Sequence, residues 1–507
     1  MQRDFVLDIT AQGAWNGGTR VDNSIYENRG MQFKGGIPVT RATIEERIGV
    51  RARMSAPEGV RIGVTAFKDL LSTSGIDPSR IRVLIAATNL GEDKYDPGPS
   101  SRTLHDLVRA ACPQALVFDL YAGCPGFNVS VETLFHLSLA GELGPGDISV
   151  VVGAENPHRG QVFKPLDTAN IIFGDDALAT ALETGDGAGA APPGRVVAEA
   201  RVDIDRDGDL PAAIAEALLP WALDGRWDGL IVDNQIGRIE FRIPATAARV
   251  QHALMERLRP QEAAAGAFRN FRSAYEIYEG TRAGFAFDVM TSPADPLTVR
   301  RLACAYAAGG PYRRLVALFL PREGPVGLSL IEGGPERAPA PRRGVLGALT
   351  RTHGCFAGFI EAKHDADGLF GRLDGKGVFL YATRGAKPHL AELLAAHGLG
   401  LDDIELLIEH QANFAMLPLT LEQLFGDRER AARFLADRMV TNVHERGNCS
   451  VVCMQRLPYD LARGALRPGE IQGYAVNRNV DRLRQAGLVL YDSVGAGMTR
   501  SSFLRRS

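Results

Sequence analysis

Apolar positions along this 507-residue chain fall into two alternating patterns. Short runs rich in β-branched residues, Arg82–Ala87 (RVLIAA), Ile148–Val152 (ISVVV), Gly229–Val232 (GLIV) and Ile404–Ile408 (IELLI), read as buried strands. Between them lie helix-length segments with spaced apolar positions, such as Ser130–Ala140 and Pro211–Leu219. Strands alternating with helices predict an α/β architecture whose sheet is covered on both faces. Two stretches without periodicity, Glu183–Arg195 (ETGDGAGAAPPGR) and Glu332–Gly344 (EGGPERAPAPRRG), read as linkers. They divide the chain into three α/β segments, 1–185, 196–331 and 345–507.

The first two segments echo each other. Ile81–Leu90 (IRVLIAATNL) returns as Trp227–Ile236 (WDGLIVDNQI), and Val117–Tyr121 (VFDLY) as Ala286–Met290 (AFDVM). The spacing between echoes differs by about two dozen residues, which fits either a duplicated unit or two independent βαβ units that look alike.

With 57 Lys and Arg against 60 Asp and Glu, the net charge of −3 speaks against a polycationic nucleic-acid binder. Six cysteines without a C-x-x-C pair suggest neither a disulfide framework nor a zinc site, and fit a reducing cytoplasm. No stretch approaches 18 uncharged apolar residues, so a cytoplasmic protein without a membrane span is expected. The acidic string Asp203–Asp209 (DIDRDGD) opens like a calcium loop, but Ile214 stands where the closing glutamate belongs.

Candidate chemistry begins at Cys124, in Phe118–Phe127 (FDLYAGCPGF), where an apolar strand runs into a Gly-Cys-Pro-Gly turn ahead of a helix. A helix N-terminus offers unpaired N–H groups and a positive dipole end, both of which favour thiolate. A lone cysteine is more often a small core hydrophobe; the flanking glycines set this one apart. His410 follows the strand IELLI in Glu409–Asn413 (EHQAN), and strand ends are where open α/β sheets build sites. Asn448 stands in Arg446–Ser450 (RGNCS), where a helix cap is the ordinary reading. Gly495, Ala496 and Gly497 form a small-residue turn that lets backbone N–H groups approach a substrate oxygen.

Together these strings resemble the β-ketoacyl-acyl-carrier-protein synthase III family, a branch of the thiolase superfamily. That family places its nucleophile in A-C-x-G-F, a histidine in P-H-Q-A-N and an asparagine in H/R-G-N-x-S, and ends on a glycine-rich turn. Arg47–Arg51 (RIGVR) and Ile171–Ala179 (IIFGDDALA) resemble its R-T-G-I-R and I-I-F-G-D-G-A-G-A. The resemblance covers about residues 40–185 and 365–507 and implies a thiolase-like fold of two duplicated αβα halves. The middle segment is then an inserted third α/β unit, a candidate degenerate half with Ser292 and Pro293 at the nucleophile position. Such a unit is expected to shape the acyl pocket or to occupy part of the surface used for dimerisation.

The resemblance further implies Cys124, His410 and Asn448 as the catalytic set and the backbone of Cys124, Ala496 and Gly497 as the oxyanion hole. Arg47 and Phe414 are the implied substrate-binding residues. It implies no cofactor and no metal, acyl-carrier-protein or coenzyme A thioesters as substrates, and a homodimer or heterodimer. The implied reaction is decarboxylative Claisen condensation of a Cys124-bound acyl group with a malonyl-type thioester, in a specialised polyketide or fatty-acid-derived pathway. Two alternatives stay open: an acyltransferase to an oxygen or nitrogen nucleophile, and a non-catalytic scaffold or partner subunit. Departures cluster where the family grips coenzyme A and near the reacting centre. Thr43 replaces a tryptophan, Phe414-Ala415-Met416 lacks the arginine after H-Q-A-N, and Pro125, Glu409 and Ala496 replace a small residue, a proline and a glycine.

Overall fold

The computed structural model describes residues 5–89, 101–160, 162–205, 208–223, 227–236, 243–281, 284–335, 338–366 and 368–507. Part of the acidic string, 206–207, lies outside the described residues. The first segment contributes strands β1 (Leu7–Ala14), β2 (Ile81–Ala87), β3 (Leu116–Tyr121), β4 (Ile148–Glu155) and β5 (Asp176–Thr184). The middle segment contributes β6 (Arg195–Val202), β7 (Gly229–Asn234), β8 (Phe285–Thr291), β9 (Arg314–Leu320) and β10 (Val326–Glu332). All ten lie in one sheet, in the order β1-β5-β4-β2-β3-β8-β7-β9-β10-β6.

Each set of five mirrors the other. β2 is parallel to β3 and β4 as β7 is parallel to β8 and β9. β5 is antiparallel to β4 and β1 as β10 is antiparallel to β9 and β6. The register also agrees, since Ile85 faces Phe118 as Ile231 faces Phe287. Even a register shift recurs, between Ile9 and Ala11 in β1 and between Val196 and Ala198 in β6. The aspartates of the two FD echoes, both buried, do similar work. Asp119 lies 3.1 Å from His105 on the helix between β2 and β3. Asp288 accepts the N–H groups of Thr246 and Ala247, which open a helix between β7 and β8, at 2.8 Å each. The echoes therefore mark equivalent strands. The two dozen extra residues of the middle unit fall between β7 and β8.

The last segment adds β11 (Gly344–Thr352), a hairpin of β12 (Ile360–Asp365) and β13 (Gly368–Leu373), β14 (Leu406–Glu409), β15 (Leu488–Gly495) and β16 (Thr499–Arg506). Apart from the hairpin these form a second sheet, β11-β16-β15-β14. Helix Gly126–Leu139 packs between the two sheets with all 14 residues buried. A helix covered all round has to satisfy its polar side chains internally. Asn128 donates to the Ser501 carbonyl at 2.7 Å, and Glu132 accepts from Tyr312 at 2.8 Å, which ties the three segments together. Cys304, on the helix after β8, is half-buried against the core. Among the described residues no helix is long and apolar enough to cross a membrane.

Candidate active site

β3 delivers its chain into a turn at Gly123 (φ +71°), and Cys124 and Pro125 lead into the buried helix. A left-handed φ suits glycine, and close approach demands it here as well. A Cβ on Gly123 would lie 2.5 Å from the Ala496 nitrogen, and one on Gly495 would lie 2.3 Å from the Cys124 nitrogen. The closing turn is thus pressed against the nucleophile's backbone. Pro125 costs nothing there, because it occupies the helix N-cap where a missing N–H leaves no bond unmade.

His410 emerges from the end of β14, its N–H donating to the Asp492 carbonyl at 2.9 Å. Asn448 is clamped by the IIFGDDALA string: its N–H donates to Ile172 at 2.8 Å, and Gly174 N–H donates to its carbonyl at 3.1 Å. Gly174 and Gly447 interlock so closely that a Cβ on Gly174 would meet the Arg446 carbonyl at 2.0 Å. The Ser450 N–H donates to Asn448 Oδ1 at 2.8 Å, which fixes the amide with its Nδ2 as the remaining donor. His410 Nε2 lies 3.3 Å from the same Oδ1. Burial pushes the His410 imidazole down to about 4, so at neutral pH it is an uncharged ring with Nε2–H directed at that oxygen.

Cys124, His410, Asn448 and Ala496 line one cavity of about 160 Å³. Its walls are apolar, with Val162, Phe163, Phe173, Ile243, Ile360 and Leu373 among them. Phe163 and Phe173 stack with centroids 5.4 Å apart, and Ile243 comes from the middle segment. The arrangement offers a sulfur nucleophile, two neutral hydrogen-bond donors and an oily chamber. That is the equipment for holding an acyl chain while charge develops on a thioester oxygen.

The helix end does not by itself yield a thiolate. Burial pushes the Cys124 thiol up to about 12, opposed chiefly by a hydrogen bond from Ser450. Ser450 Oγ lies 3.5 Å from Cys124 Sγ. Asn89 Nδ2 donates to Ser450 Oγ at 3.1 Å and to Glu155 Oε1 at 2.9 Å, leaving the serine hydrogen for the sulfur. Glu155 is itself buried, and burial pushes its carboxyl up to about 8. Losing one such hydrogen bond costs about 0.5–1.5 kcal/mol, which on a thiolate is roughly a two- to tenfold change in its population. Ser450→Ala is therefore expected to slow iodoacetamide alkylation of Cys124 about two- to tenfold at pH 8, with Ser450→Thr restoring it. Sequence reading passed over Ser450 although it stands inside the quoted RGNCS string.

Other implied site residues are placed elsewhere. Arg47 is exposed, its guanidinium 5.7 Å from the Phe33 ring, and it does not line the cavity. Phe414 is a correction: its ring is fully buried in the C-terminal core, because its N–H donates to Ile48 and it packs against Gly49. Gly497 (φ +81°) lies one residue beyond the part of the turn that touches the cavity, facing Ala248 of the middle unit. Thr43 closes a capping box with Thr40.

Glu409, in place of the family proline, is buried and pushed up to about 8 by that burial. Its folded pKa lies above the unfolded value near 4.3, so the folded state holds a proton that the unfolded state releases. Stability is full below about pH 4 and falls as pH rises towards 8. Glu409→Gln should raise stability by on the order of 2 kcal/mol at pH 8 and little at pH 4.5, read by urea denaturation at both.

No family model matches the chain. A 124-residue stretch, 24% of this chain and 35% of the relative, is 32% identical to β-ketoacyl-[acyl-carrier-protein] synthase III of Nitratidesulfovibrio vulgaris (strain DSM 19637 / Miyazaki F). The chain thus spans about a third of that relative's length. Among solved structures, 3-oxoacyl-[acyl-carrier-protein] synthase III from Aquifex aeolicus VF5 matches with a TM-score of 0.53 at 14% identity, over 99% of this chain and 100% of that one. The priming β-ketosynthase of the R1128 polyketide biosynthetic pathway matches with a TM-score of 0.53 at 16% identity, over 100% and 97%. The fold is thiolase-like, and the chain is related in sequence to the ketosynthase III proteins.

Proposed function

We propose that this thiolase-fold relative of the ketosynthase III proteins is a condensing enzyme that joins a Cys124-bound acyl group to a malonyl-type thioester with loss of CO2. The observation that carries the reading is the convergence of Cys124, His410 and Asn448 on one apolar cavity. In the first stage Cys124 attacks an acyl thioester, its proton passing to the leaving thiolate, and the tetrahedral oxyanion meets backbone N–H groups of Cys124 and Ala496. In the second, the malonyl carboxylate leaves as CO2 and its electron pair becomes an enolate. The Asn448 Nδ2–H is suited to hold the developing oxyanion, joined by the His410 Nε2–H once the bound thioester oxygen draws it away from Asn448 Oδ1. The enolate carbon then attacks the acyl carbon and expels Cys124 as thiolate.

The apolar walls suit an aliphatic acyl chain. With Thr43 engaged in helix capping and Arg47 stacked on Phe33, a carrier-protein thioester is the favoured donor over a coenzyme A thioester. The test is incubation of an acyl-loaded protein with malonyl-carrier protein and assay for CO2 and a β-ketoacyl product. Acyl transfer to an alcohol or amine without CO2 would replace condensation with plain acyl transfer. Failure of every thioester to load Cys124 would leave a scaffold.

A further inference from the structure

The seam of the ten-stranded sheet has a symmetry that a lone chain does not require. β3 and β8 meet antiparallel with Leu120 opposite Val289, and these two residues are themselves equivalents in the two echoes, VFDLY and AFDVM. Their pairing therefore lies on a local two-fold axis that exchanges β1–β5 with β6–β10. Two like units joined strand to equivalent strand about a two-fold make the isologous contact of a homodimer. Here the contact is made within one chain.

The middle unit also completes the site on the other side of that axis. Ile243 stands in the cavity wall, and its carbonyl accepts the Ala362 N–H at 2.8 Å, which docks the β12–β13 hairpin over the chamber. Ala248 backs the closing turn at Gly497, and its carbonyl lies where a Cβ on Gly354 would meet it at 2.0 Å. The reciprocal site is missing. Pro293 stands at the equivalent of Cys124, and the loop between β9 and β10 is only residues 321–325, against 156–175 between β4 and β5, which carries Val162, Phe163 and Phe173.

We infer that the middle unit is an internal stand-in for a second copy of the chain, so that one chain builds one complete site as a monomer, with Ile243 as a specificity-determining wall residue. The edge of β3 that a second copy would pair with is already taken by β8. This replaces the homodimer or heterodimer that the resemblance implies.

Two measurements test it. Sedimentation equilibrium of the full chain from nanomolar to micromolar concentration should return 54.6 kDa throughout; a stable dimer overturns the inference. The second rests on the proposed loading of Cys124 and reads adducts by intact mass across acyl thioesters of increasing length. Ile243→Trp should cut loading of the longest chains about tenfold and spare the shortest, and Ile243→Ala should extend the range. An unchanged profile in both overturns the role of Ile243. Cys124→Ala and Ile243→Trp chains are then co-expressed. Only the restricted profile should appear if the wall acts within its own chain, whereas recovery of the wild-type profile means it is supplied by a neighbour and overturns the inference. If the wild type loads from no thioester, the proposed function fails and the mass decides the inference alone.

Discussion

Cys124→Ala is expected to abolish both the acyl adduct and all turnover, leaving the fold intact. The side chain is small, alanine fits the same turn, and the neighbouring Gly123 and Gly495 already set the backbone. Removing a nucleophile costs several powers of ten, because the covalent route has no substitute. Asn448→Ala separates the stages: acyl loading should persist while CO2 release falls on the order of a hundredfold, the usual loss for one oxyanion donor. Intact mass reads the first stage and CO2 capture the second. Loss of both stages in Asn448→Ala, with the fold intact, would mean that the asparagine serves the thiol instead.

The second large effect concerns stability. Arg456 is buried beside Asp176, with Nε 2.8 Å from Oδ2, and donates to the Trp15 carbonyl at 3.0 Å. Asp176 occupies the place of a glycine in the related motif. Arg456→Ala leaves that buried carboxylate with Arg446, 3.8 Å away, as its remaining cationic partner, and losing the close partner of such a pair costs about 3–5 kcal/mol. Urea denaturation should show that loss. The double variant Asp176→Ala with Arg456→Met should recover most of it, since an apolar pair of similar volume has no charge to desolvate.

The parts of this architecture that are local in sequence were legible before any coordinates. RVLIAA marks β2 and IELLI marks β14, and the Gly-Cys-Pro-Gly turn places Cys124 ahead of a helix. The echoes at 81–90 and 227–236 were visible too, although their equivalence needed the shared register of Ile85 with Phe118 and Ile231 with Phe287. Long-range partners left no trace. Ile243 reaches the cavity only through the sheet seam, and Arg456 meets Asp176 across 280 positions. Phe414 misled because it adjoins the His410 motif, while the backbone turns its ring away into the core. The height of the Cys124 pKa was hidden because dipole and glycine signals are local, whereas burial is set by the whole molecule.

The seam at Leu120 and Val289 has a consequence for life at low abundance. Separate subunits fall apart on dilution, but a tethered neighbour sits at an effective concentration on the order of millimolar whatever the number of molecules per cell. Such a chain is also freed from identical twins, since the middle unit can change independently of the first wherever it does not carry the seam or the Ile243 wall.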